Sequence, residues 1–350
     1  MNVDPSWISI IRYNRDLIIP NCDKNRELVI KKNKKDQIRL SVRELVEYVY
    51  GGGDLRASVS VFNRALEGTR AHQAIQAQRG DDYRKEVSVS HFIDEPALNL
   101  KVMIQGRIDG VFVEDGKTVI EEIKSTLKNL DSLTFEEDGL HFAQAKAYAY
   151  IFSQRENLDE VAVRLTYVSL ESGKTRLFSK DCDQESLTQF FDDTVEAYLE
   201  RLRELNHWQE IRNLSIESLS FPFKTFRRGQ QEFSEEVYQA ITEEYKLFAQ
   251  APTGLGKTLA VLQPAIKTLG EDFCSKLFYL TARTTAREAA EKALDQFREK
   301  GLRLKSITLT AKEKICPKAE MDCSPEACDY LIGYYDRVKE GLRDIFTNDA

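Results

Sequence analysis

No stretch of the sequence is apolar for long enough to cross a membrane, and none has the pattern of an export signal. Hydrophobic residues make up 42% of the 350-residue chain, but no run approaches the roughly 18 apolar residues of a bilayer span. The apolar stretch at residues 7–11 is short and is broken by Ser9. These absences predict a protein with no membrane partner and a cytoplasmic location.

An excess of positive charge is also absent. Lysine and arginine number 50 against 57 acidic residues, which gives a net charge of -7. This balance excludes the uniformly basic surface of a histone-like binder. It leaves room for a basic groove on an acidic protein, so nucleic acid stays a possible partner.

Histidine and cysteine are scarce, and the chain has neither an internal repeat nor a low-complexity tract. There are four histidines and six cysteines. Three of the cysteines, Cys316, Cys323 and Cys328, lie close together in the sequence. In a reducing cytoplasm such crowding indicates a metal or cluster site more than disulfides, although zinc and plain reduced thiols remain alternatives.

The apolar periodicity predicts two α/β domains. Helical spacing gives way to strand patterns in the first half, and strand–helix alternation typical of a parallel sheet follows in the second. The predicted elements are helices over 41–50 and 62–78, strands over 83–93, 98–115 and 117–126 with a tight turn at Asp115 and Gly116, a helix over 139–154, a strand over 160–171, a long helix over 187–205, a helix near 230–245, a strand over 245–252, a helix from Lys257, a strand over 276–283 and a helix over 286–300.

The stretch QAPTGLGKT at residues 250–258 lies between a predicted strand and a predicted helix, which is the context of a phosphate-binding loop. Gly254 and Gly256 let the backbone turn its N–H groups toward phosphates. Lys257 is expected to reach the β- and γ-phosphates, and Thr258 to hold Mg²⁺. Ala251 stands where the strict pattern has a glycine. The loop predicts ATP binding.

This loop resembles the first motif of superfamily 2 helicases, in which alanine is common at that place. The resemblance implies that Thr253 and Leu255 also belong to the nucleotide site. The preceding stretch FPFKTFRRGQQEF, residues 221–233, resembles the segment before the loop in XPD/DinG-like helicases, where an arginine and a glutamine lie near the nucleotide. Gln230 is the expected glutamine, and Gln231 is the alternative.

The stretch FYLTARTTAREAAEKAL after the loop resembles the next helicase motif, which contacts the backbone of single-stranded DNA. Thr281, Arg283 and Thr284 can supply hydroxyl and guanidinium donors to phosphates. XPD/DinG-like helicases also carry an iron–sulfur domain at the place of the crowded cysteines. The resemblance therefore implies a 4Fe-4S cluster on the thiolates named above.

Such a cluster usually takes four thiolate ligands, and only three are present in that segment. Cys274 is one possible fourth ligand, but it lies on the approach to a predicted core strand. We expect the fourth cysteine beyond Ala350 instead.

Three charged residues of the predicted hairpin form a possible metal site. Glu122 and Lys124 lie two apart on a strand and so share a face, and Asp109 on the preceding strand can converge with them. Two carboxylates suit a divalent cation, and a lysine beside them can orient or deprotonate water. Glu121 is an alternative to Glu122, but it would not share the face of Lys124.

This pattern and its neighbours resemble the RecB-like branch of the PD-(D/E)XK nucleases. EGTRAHQ resembles the family's GTxxH helix, which implies that His72 binds metal. HFAQAKAY resembles a later helix of the family, with Gln144 and Tyr148 on one face. The implied cofactor is Mg²⁺ or Mn²⁺, and the implied order of elements is α–β–β–β–α–β over about residues 38–200.

The expected fold class is therefore α/β, a PD-(D/E)XK nuclease core followed by a partial RecA-like parallel α/β domain with a cysteine-rich insertion. The expected segments are a poorly specified N-terminal segment (1–37), the nuclease domain (38–205), a linker (206–222), a partial RecA-like ATP-binding domain (223–311) and a partial iron–sulfur region (312–350).

The resemblance implies ATP-dependent unwinding, usually 5′ to 3′, coupled to metal-dependent cleavage of single-stranded or forked DNA. No DEAH-like motif, second RecA-like lobe or arginine finger follows the loop. We therefore expect the chain to be the N-terminal part of a longer protein. Two alternatives are a free-standing nuclease with an inert helicase remnant and a non-catalytic DNA-binding iron–sulfur module.

Overall fold

The structure is a computed structural model that describes residues 9–13, 37–55, 61–135, 139–318, 323–324 and 327–347. Most of the predicted N-terminal segment lies outside these residues. The chain forms two compact units. The larger unit comprises Lys35–Glu204 with Leu309–Ala350, and the smaller unit comprises Met1–Lys34 with Leu205–Thr308.

The described chain contains both helices and strands. In chain order they are β1 Ser9–Tyr13, β2 Gln37–Ser41, α1 Val42–Tyr50, α2 Val61–Ala77, β3 Arg84–Glu95, β4 Leu100–Glu114, β5 Lys117–Thr126, α3 Leu140–Glu156, β6 Glu160–Ser169, β7 Thr175–Asp183, α4 Gln184–Glu217, α5 Gln230–Thr242, β8 Lys246–Gln250, α6 Lys257–Gly270, α7 Thr284–Arg298, α8 Lys312–Ile315 and α9 Tyr334–Thr347.

A mixed sheet forms the centre of the larger unit. Its strand order is β2-β4-β5-β6-β7, and β3 pairs with β4. The pairs β2/β4 and β5/β6 are parallel, whereas β3/β4, β4/β5 and β6/β7 are antiparallel. The predicted α/β class is confirmed, and so are the predicted helices and strands of this half as far as β6, to within a few residues. Strands β2 and β7 were not predicted.

The turn between β4 and β5 sets the register of the two strands. Asp115 has a φ of 51° and Gly116 a φ of 79°, the pair of positive values that a type I′ hairpin turn requires. The ladder then pairs Glu114 with Lys117 and continues to Gly110 opposite Glu121. This register brings the segment around Asp109 level with the segment that follows Glu121.

Helices cover both faces of the sheet. On one face, Ala71 and Ile75 of α2 pack against Ile123 of β5 and Val168 of β6. On the other face lies α3, whose side chains are buried almost all round, with Phe142 and Phe152 among the largest fully buried residues. Burial of each such side chain contributes about 1.5–3 kcal/mol, so the sheet and α3 form the core of this unit.

The last described segment belongs to the larger unit. The N–H of Leu55 donates to the carbonyl of Leu331 (2.9 Å), and the N–H of Tyr335 donates to that of Gly53 (3.0 Å). The carboxylate of Asp336 accepts from the N–H of Gly53 (3.0 Å). These hydrogen bonds attach the start of α9 to the loop that follows α1. Helix α9 itself was not predicted.

In the smaller unit β8 pairs antiparallel with β1, and α5 packs beside α6. The predicted strand over 276–283 is not formed, and neither it nor the described stretch 302–311 has regular structure. Phe278 and Leu280 are 78% and 89% exposed. A strand needs a neighbouring strand to complete its backbone hydrogen bonds, and no described strand pairs with either segment, so β propensity alone does not make them strands.

Helix α4 is longer than its predicted span of 187–205, because it runs from Gln184 to Glu217. Most of the segment expected to link the two domains is therefore helical, and the boundary between the compact units falls within this helix, at Leu205. In the part of the chain that the structure describes, no helix combines the length and apolar character needed to span a membrane.

Candidate functional site

The carboxylate of Asp109 lies where β4 and β5 part. Their ladder ends at the pair Gly110 and Glu121, so the N–H of Ile123, two residues further along β5, has no ladder partner on β4. It donates instead to Oδ2 of Asp109 at 2.7 Å. The strand opening therefore holds the carboxylate in place and exposes its other side to neighbouring side chains.

Glu122 and Lys124 share the face of β5 that was predicted from their spacing. The ammonium of Lys124 lies 2.7 Å from Oε1 of Glu122 and donates to Oε1 of Gln144 at 2.9 Å. Glu122 is only 3% exposed. Its other oxygen, Oε2, has no hydrogen-bond partner among the residues that the structure describes.

The surroundings of Glu122 favour its protonated form. Burial raises its pKa to about 7, and the charge of Asp109 adds to this rise. The positive charges of Lys124 and His72 act in the opposite direction. A carboxyl group in this state is half ionised near neutral pH, and a nearby cation would shift it toward the carboxylate.

His72 reaches the same place from α2. Its Nδ1 lies 3.8 Å from Oδ2 of Asp109. Within the described ranges, no three His, Cys, Asp or Glu side chains are close enough to form a ready-made metal site. The donor set nevertheless fits a divalent cation, because it offers one imidazole and the carboxylates of Asp109 and Glu122, the second of which has an unpaired oxygen among the described residues.

Gln144 and Tyr148 lie one turn apart on one face of α3, as their spacing predicted, and the structure turns that face toward β4 and β5. Gln144 accepts from Lys124. Tyr148 lies across Gly106 of β4, where a Cβ atom would come within 2.7 Å of a ring carbon. Burial, with the charge of Glu122, raises the pKa of Tyr148 to about 12, so its hydroxyl keeps its proton.

Glu121, the alternative ligand, lies on the opposite face in a network of its own. Its carboxylate pairs with the guanidinium of Arg79 and accepts from Tyr83 Oη (2.8 Å) and Thr166 Oγ1 (2.5 Å). These partners were not predicted, because the segment 79–83 and Thr166 are both distant in sequence from Glu121 and no local pattern links them. The network leaves Glu122 as the carboxylate that faces Lys124.

In the smaller unit, QAPTGLGKT forms a loop between β8 and α6. Gly254 and Gly256 have φ values of 86° and 83°, which L side chains rarely adopt. The ammonium of Lys257 donates to the carbonyls of Ala251 (3.1 Å) and Pro252 (2.8 Å). The strand–loop–helix context predicted for the loop is confirmed.

The other predicted residues of this loop differ in exposure. Thr253 is exposed, and Thr258 is the second residue of α6. The side chain of Leu255 is buried in an apolar cluster with Phe233 and Ala260. Only the backbone of Leu255 is therefore available to a nucleotide.

Of the two candidate glutamines, Gln230 is the one that contacts the loop. Its Nε2 donates to the carbonyl of Gly256 at 3.2 Å, and its Oε1 accepts from the N–H of Arg227 at 3.0 Å. The guanidinium of Arg227 donates to the carbonyl of Gly254. Gln231 instead donates to Glu235. Arg227 was not singled out from the sequence, although it belongs to the quoted stretch.

Thr281, Arg283 and Thr284 lie together at the exposed start of α7. The N–H of Arg283 donates to Oγ1 of Thr281 at 3.2 Å, and Thr284 is the first residue of the helix. Free N–H groups at a helix N-terminus favour phosphate. The residues expected to contact DNA are thus accessible, and their role stays a prediction.

Among the described residues, Cys316, Cys323 and Cys328 do not come together in one metal-binding site. Cys316 is half-buried, Cys328 is buried, and none of the described cysteines forms a disulfide. Cys323 accepts a contact from the ammonium of Lys312 at 3.0 Å. Cys274 lies in the smaller unit beside Thr268. The iron–sulfur cluster and the cysteine-rich insertion stay predictions.

Two family models account for most of the chain. Residues 29–228, more than half of it, match the PD-(D/E)XK nuclease superfamily. The chain belongs to the PD-(D/E)XK nuclease superfamily. Residues 228–348 match the DEAD/DEAH box helicase family, so a helicase-type domain follows the nuclease domain. The two domains indicate an enzyme that acts on DNA, with a divalent metal and ATP as cofactors.

The chain was also compared with individual curated proteins and solved structures. No curated protein matches the chain. Several solved structures do, and one of them is described as "Crystal structure of SSO0001". It is 18% identical, the match covers 47% of this chain and 77% of that chain, and the TM-score is 0.30.

Proposed function

We propose that the chain carries the nuclease and part of the ATP-binding machinery of a DNA helicase–nuclease. The observation that supports this most is the pairing of Lys124 with buried Glu122 beside Asp109, with one oxygen of Glu122 left unpaired among the described residues. A buried polar atom without a partner is costly, so this arrangement suits a site that gains a ligand.

His72, Asp109 and Glu122 are the proposed ligands of Mg²⁺ or Mn²⁺. When bound there, such a cation would polarise the phosphodiester and lower the pKa of the attacking water. Lys124, which Gln144 and Glu122 hold as an ammonium, would orient that water through its N–H donors. Tyr148 keeps its hydroxyl protonated and packs against β4 at Gly106, which fixes the side of the site opposite α2.

In the helicase-type domain, the backbone of 253–256 and the ammonium of Lys257 are proposed to bind the phosphates of ATP, and Thr258 the accompanying Mg²⁺. On binding, Lys257 exchanges its two carbonyl acceptors for phosphate oxygens. Gln230 positions the loop from the side. Thr281, Arg283 and Thr284 are proposed to contact the backbone of a single strand.

The finer parts of the proposal rest on the resemblance to XPD/DinG-like helicases. They are unwinding driven by ATP, a 5′ to 3′ direction, a preference for single-stranded or forked DNA, and a 4Fe-4S cluster on Cys316, Cys323 and Cys328. Thiolates are the usual ligands of such clusters.

The nuclease part is tested by incubating the full chain with a labelled forked DNA and Mn²⁺, with and without a chelator. Cutting that requires the metal and is lost in Glu122→Gln supports it. Glu160→Gln is the matched control, because Glu160 is an exposed carboxylate on β6 that pairs with Lys117, and it should cut like the parent. Cutting by Glu122→Gln at the parent rate would refute the assignment.

A further inference from the structure

Three polar side chains, two on α2 and one just after its end, lie on the same side of the helix and contact the sheet. His72, Gln76 and Arg79 are spaced by four and three residues, which places them on one face of a helix. The first lies 3.8 Å from Oδ2 of Asp109. Gln76 Nε2 donates to the backbone carbonyl of the same aspartate at 2.9 Å. Arg79 continues the line to Glu121.

Glu121 is the fixed end of this line. It is 0% exposed, and both of its oxygens are occupied, one by Arg79 and Thr166 and the other by Tyr83. These contacts fix the carboxylate on its own face of β5. It therefore serves as a rigid anchor, that is, a side chain whose position the sheet determines.

Tyr83 fastens this anchor to the strand that carries Asp109. It lies over Gly110, where any Cβ atom would overlap its ring, and its hydroxyl is also 3.4 Å from the carbonyl of Asp109. Its ring and the guanidinium of Arg79 both pack on Phe112. The arrangement therefore ties the end of α2 to β4 and β5 together.

The apolar contacts of α2 cannot do this alone. Ala71 and Ile75 pack against Ile123 and Val168, and apolar contact is non-directional, so it tolerates a helix that rotates or slides by a fraction of a turn. Such a shift would carry His72 away from Asp109. Hydrogen bonds and an ion pair to a rigid anchor fix both the rotation of α2 about its axis and its position along that axis.

We propose that Arg79, Tyr83 and Glu121 are positioning residues that hold α2 where His72 meets Asp109, and so set the affinity of the metal site. This inference rests on the proposed nuclease function. Partners that orient metal ligands without touching the metal typically change metal affinity by 10–100-fold when they are altered. A purely structural role would change stability without that effect.

The test is Mn²⁺ binding to the full chain, measured by calorimetry and by the electron paramagnetic resonance signal of free Mn²⁺. Glu121→Gln, Arg79→Met and the milder Tyr83→Phe should weaken binding, the first two by about 10–100-fold. Arg79→Lys should recover part of the loss. Half-saturating Mn²⁺ for cleavage should rise in parallel, while the rate at saturating Mn²⁺ changes less than about twofold.

Glu95→Gln is the matched control. It breaks another buried carboxylate–guanidinium pair of the same sheet, that of Glu95 on β3 with Arg203, at the end of β3 that pairs with Leu100 and not with the segment around Asp109. It should lower the melting temperature without changing the Mn²⁺ affinity.

Parent-like Mn²⁺ affinity in all the folded variants, or a loss as large in Glu95→Gln, would overturn the positioning role. Failure of the proposed function gives a different result. In that case the parent itself would neither bind Mn²⁺ nor cut DNA, and Asp109→Asn would change nothing.

Discussion

The ammonium of Lys124 lies 2.7 Å from a carboxylate oxygen of Glu122, two residues earlier on the same strand. Side chains two apart on a strand stand side by side, and Gln144 fixes the lysine from the facing helix. The pair therefore neutralises part of a buried charge, and it keeps an amine next to a carboxyl group whose second oxygen has no partner among the described residues.

The stability of the chain without metal should depend on pH through Glu122. Its pKa in the fold is raised to about 7 from an ordinary value of 4.5, so the fold favours the protonated form. The stabilisation is full below about pH 4.5 and is lost as pH rises through about 7, by on the order of 3 kcal/mol. Urea unfolding at pH 5 and pH 8 measures this loss.

Glu122→Gln cannot ionise and should show a smaller loss between the two pH values. Added Mn²⁺ should reverse the trend in the parent, because a cation favours the ionised carboxylate, so its stabilising effect should grow from pH 6 to pH 8. An equal pH dependence in parent and variant would contradict the burial of an ionisable Glu122.

Much of this arrangement could be predicted from the sequence. The hairpin turn, the shared face of Glu122 and Lys124, and the one-turn spacing of Gln144 and Tyr148 depend on local periodicity, which is visible in a single chain. The approach of His72 to Asp109 was expected only from a family resemblance. It depends on how α2 packs, which no local pattern reports.

The rest depends on partners that are distant in sequence. The network around Glu121 joins residues from 79 to 166, and each looks like an ordinary polar residue in its own segment. The absent strand over 276–283 shows the converse. Its run of consecutive apolar residues, 277–280, has strand propensity, but propensity yields to context when no neighbouring strand among the described residues is paired with it.

Lys257→Ala should weaken ATP binding by about 10–100-fold, because a charged donor to phosphate contributes about 1.5–3 kcal/mol. Titration with a fluorescent ATP analogue measures it. Metal-dependent cutting should persist, because no ligand of the proposed metal site belongs to this loop. Lys267→Ala, at the other end of α6 where Lys267 faces Glu271, is the control, and equal affinities in all three proteins would refute the loop's role.

The two neighbouring glutamines should differ in the same experiment. Gln230→Ala removes a donor to Gly256 and an acceptor for Arg227, so the loop loses its lateral support and ATP affinity should fall by about 3–10-fold. Gln231→Ala removes only a surface contact to Glu235 and should bind like the parent. A larger effect of Gln231→Ala would mean that the wrong glutamine was assigned.

Replacing Cys316, Cys323 and Cys328 together with serine should abolish iron and sulfide binding by the anaerobically purified chain. Hydroxyl groups do not replace thiolates as cluster ligands. Cys274→Ser is the control and should retain the parent's iron content. Three thiolates are fewer than the usual four ligands, so the parent should hold its iron weakly. Iron that survives the triple change at the parent's level would rule out a cluster on these three cysteines.

Single-turnover cleavage of labelled forked DNA in Mn²⁺ by the parent and by Asp109→Asn tests the central claim most directly. Asparagine keeps the size of the side chain and can still accept from the N–H of Ile123, but it removes the charge that a divalent cation needs. The expected result is metal-dependent cutting by the parent, and no cutting above the chelated blank by the variant, with DNA binding retained in both. Cutting by Asp109→Asn at the parent rate would contradict a nuclease site at this position.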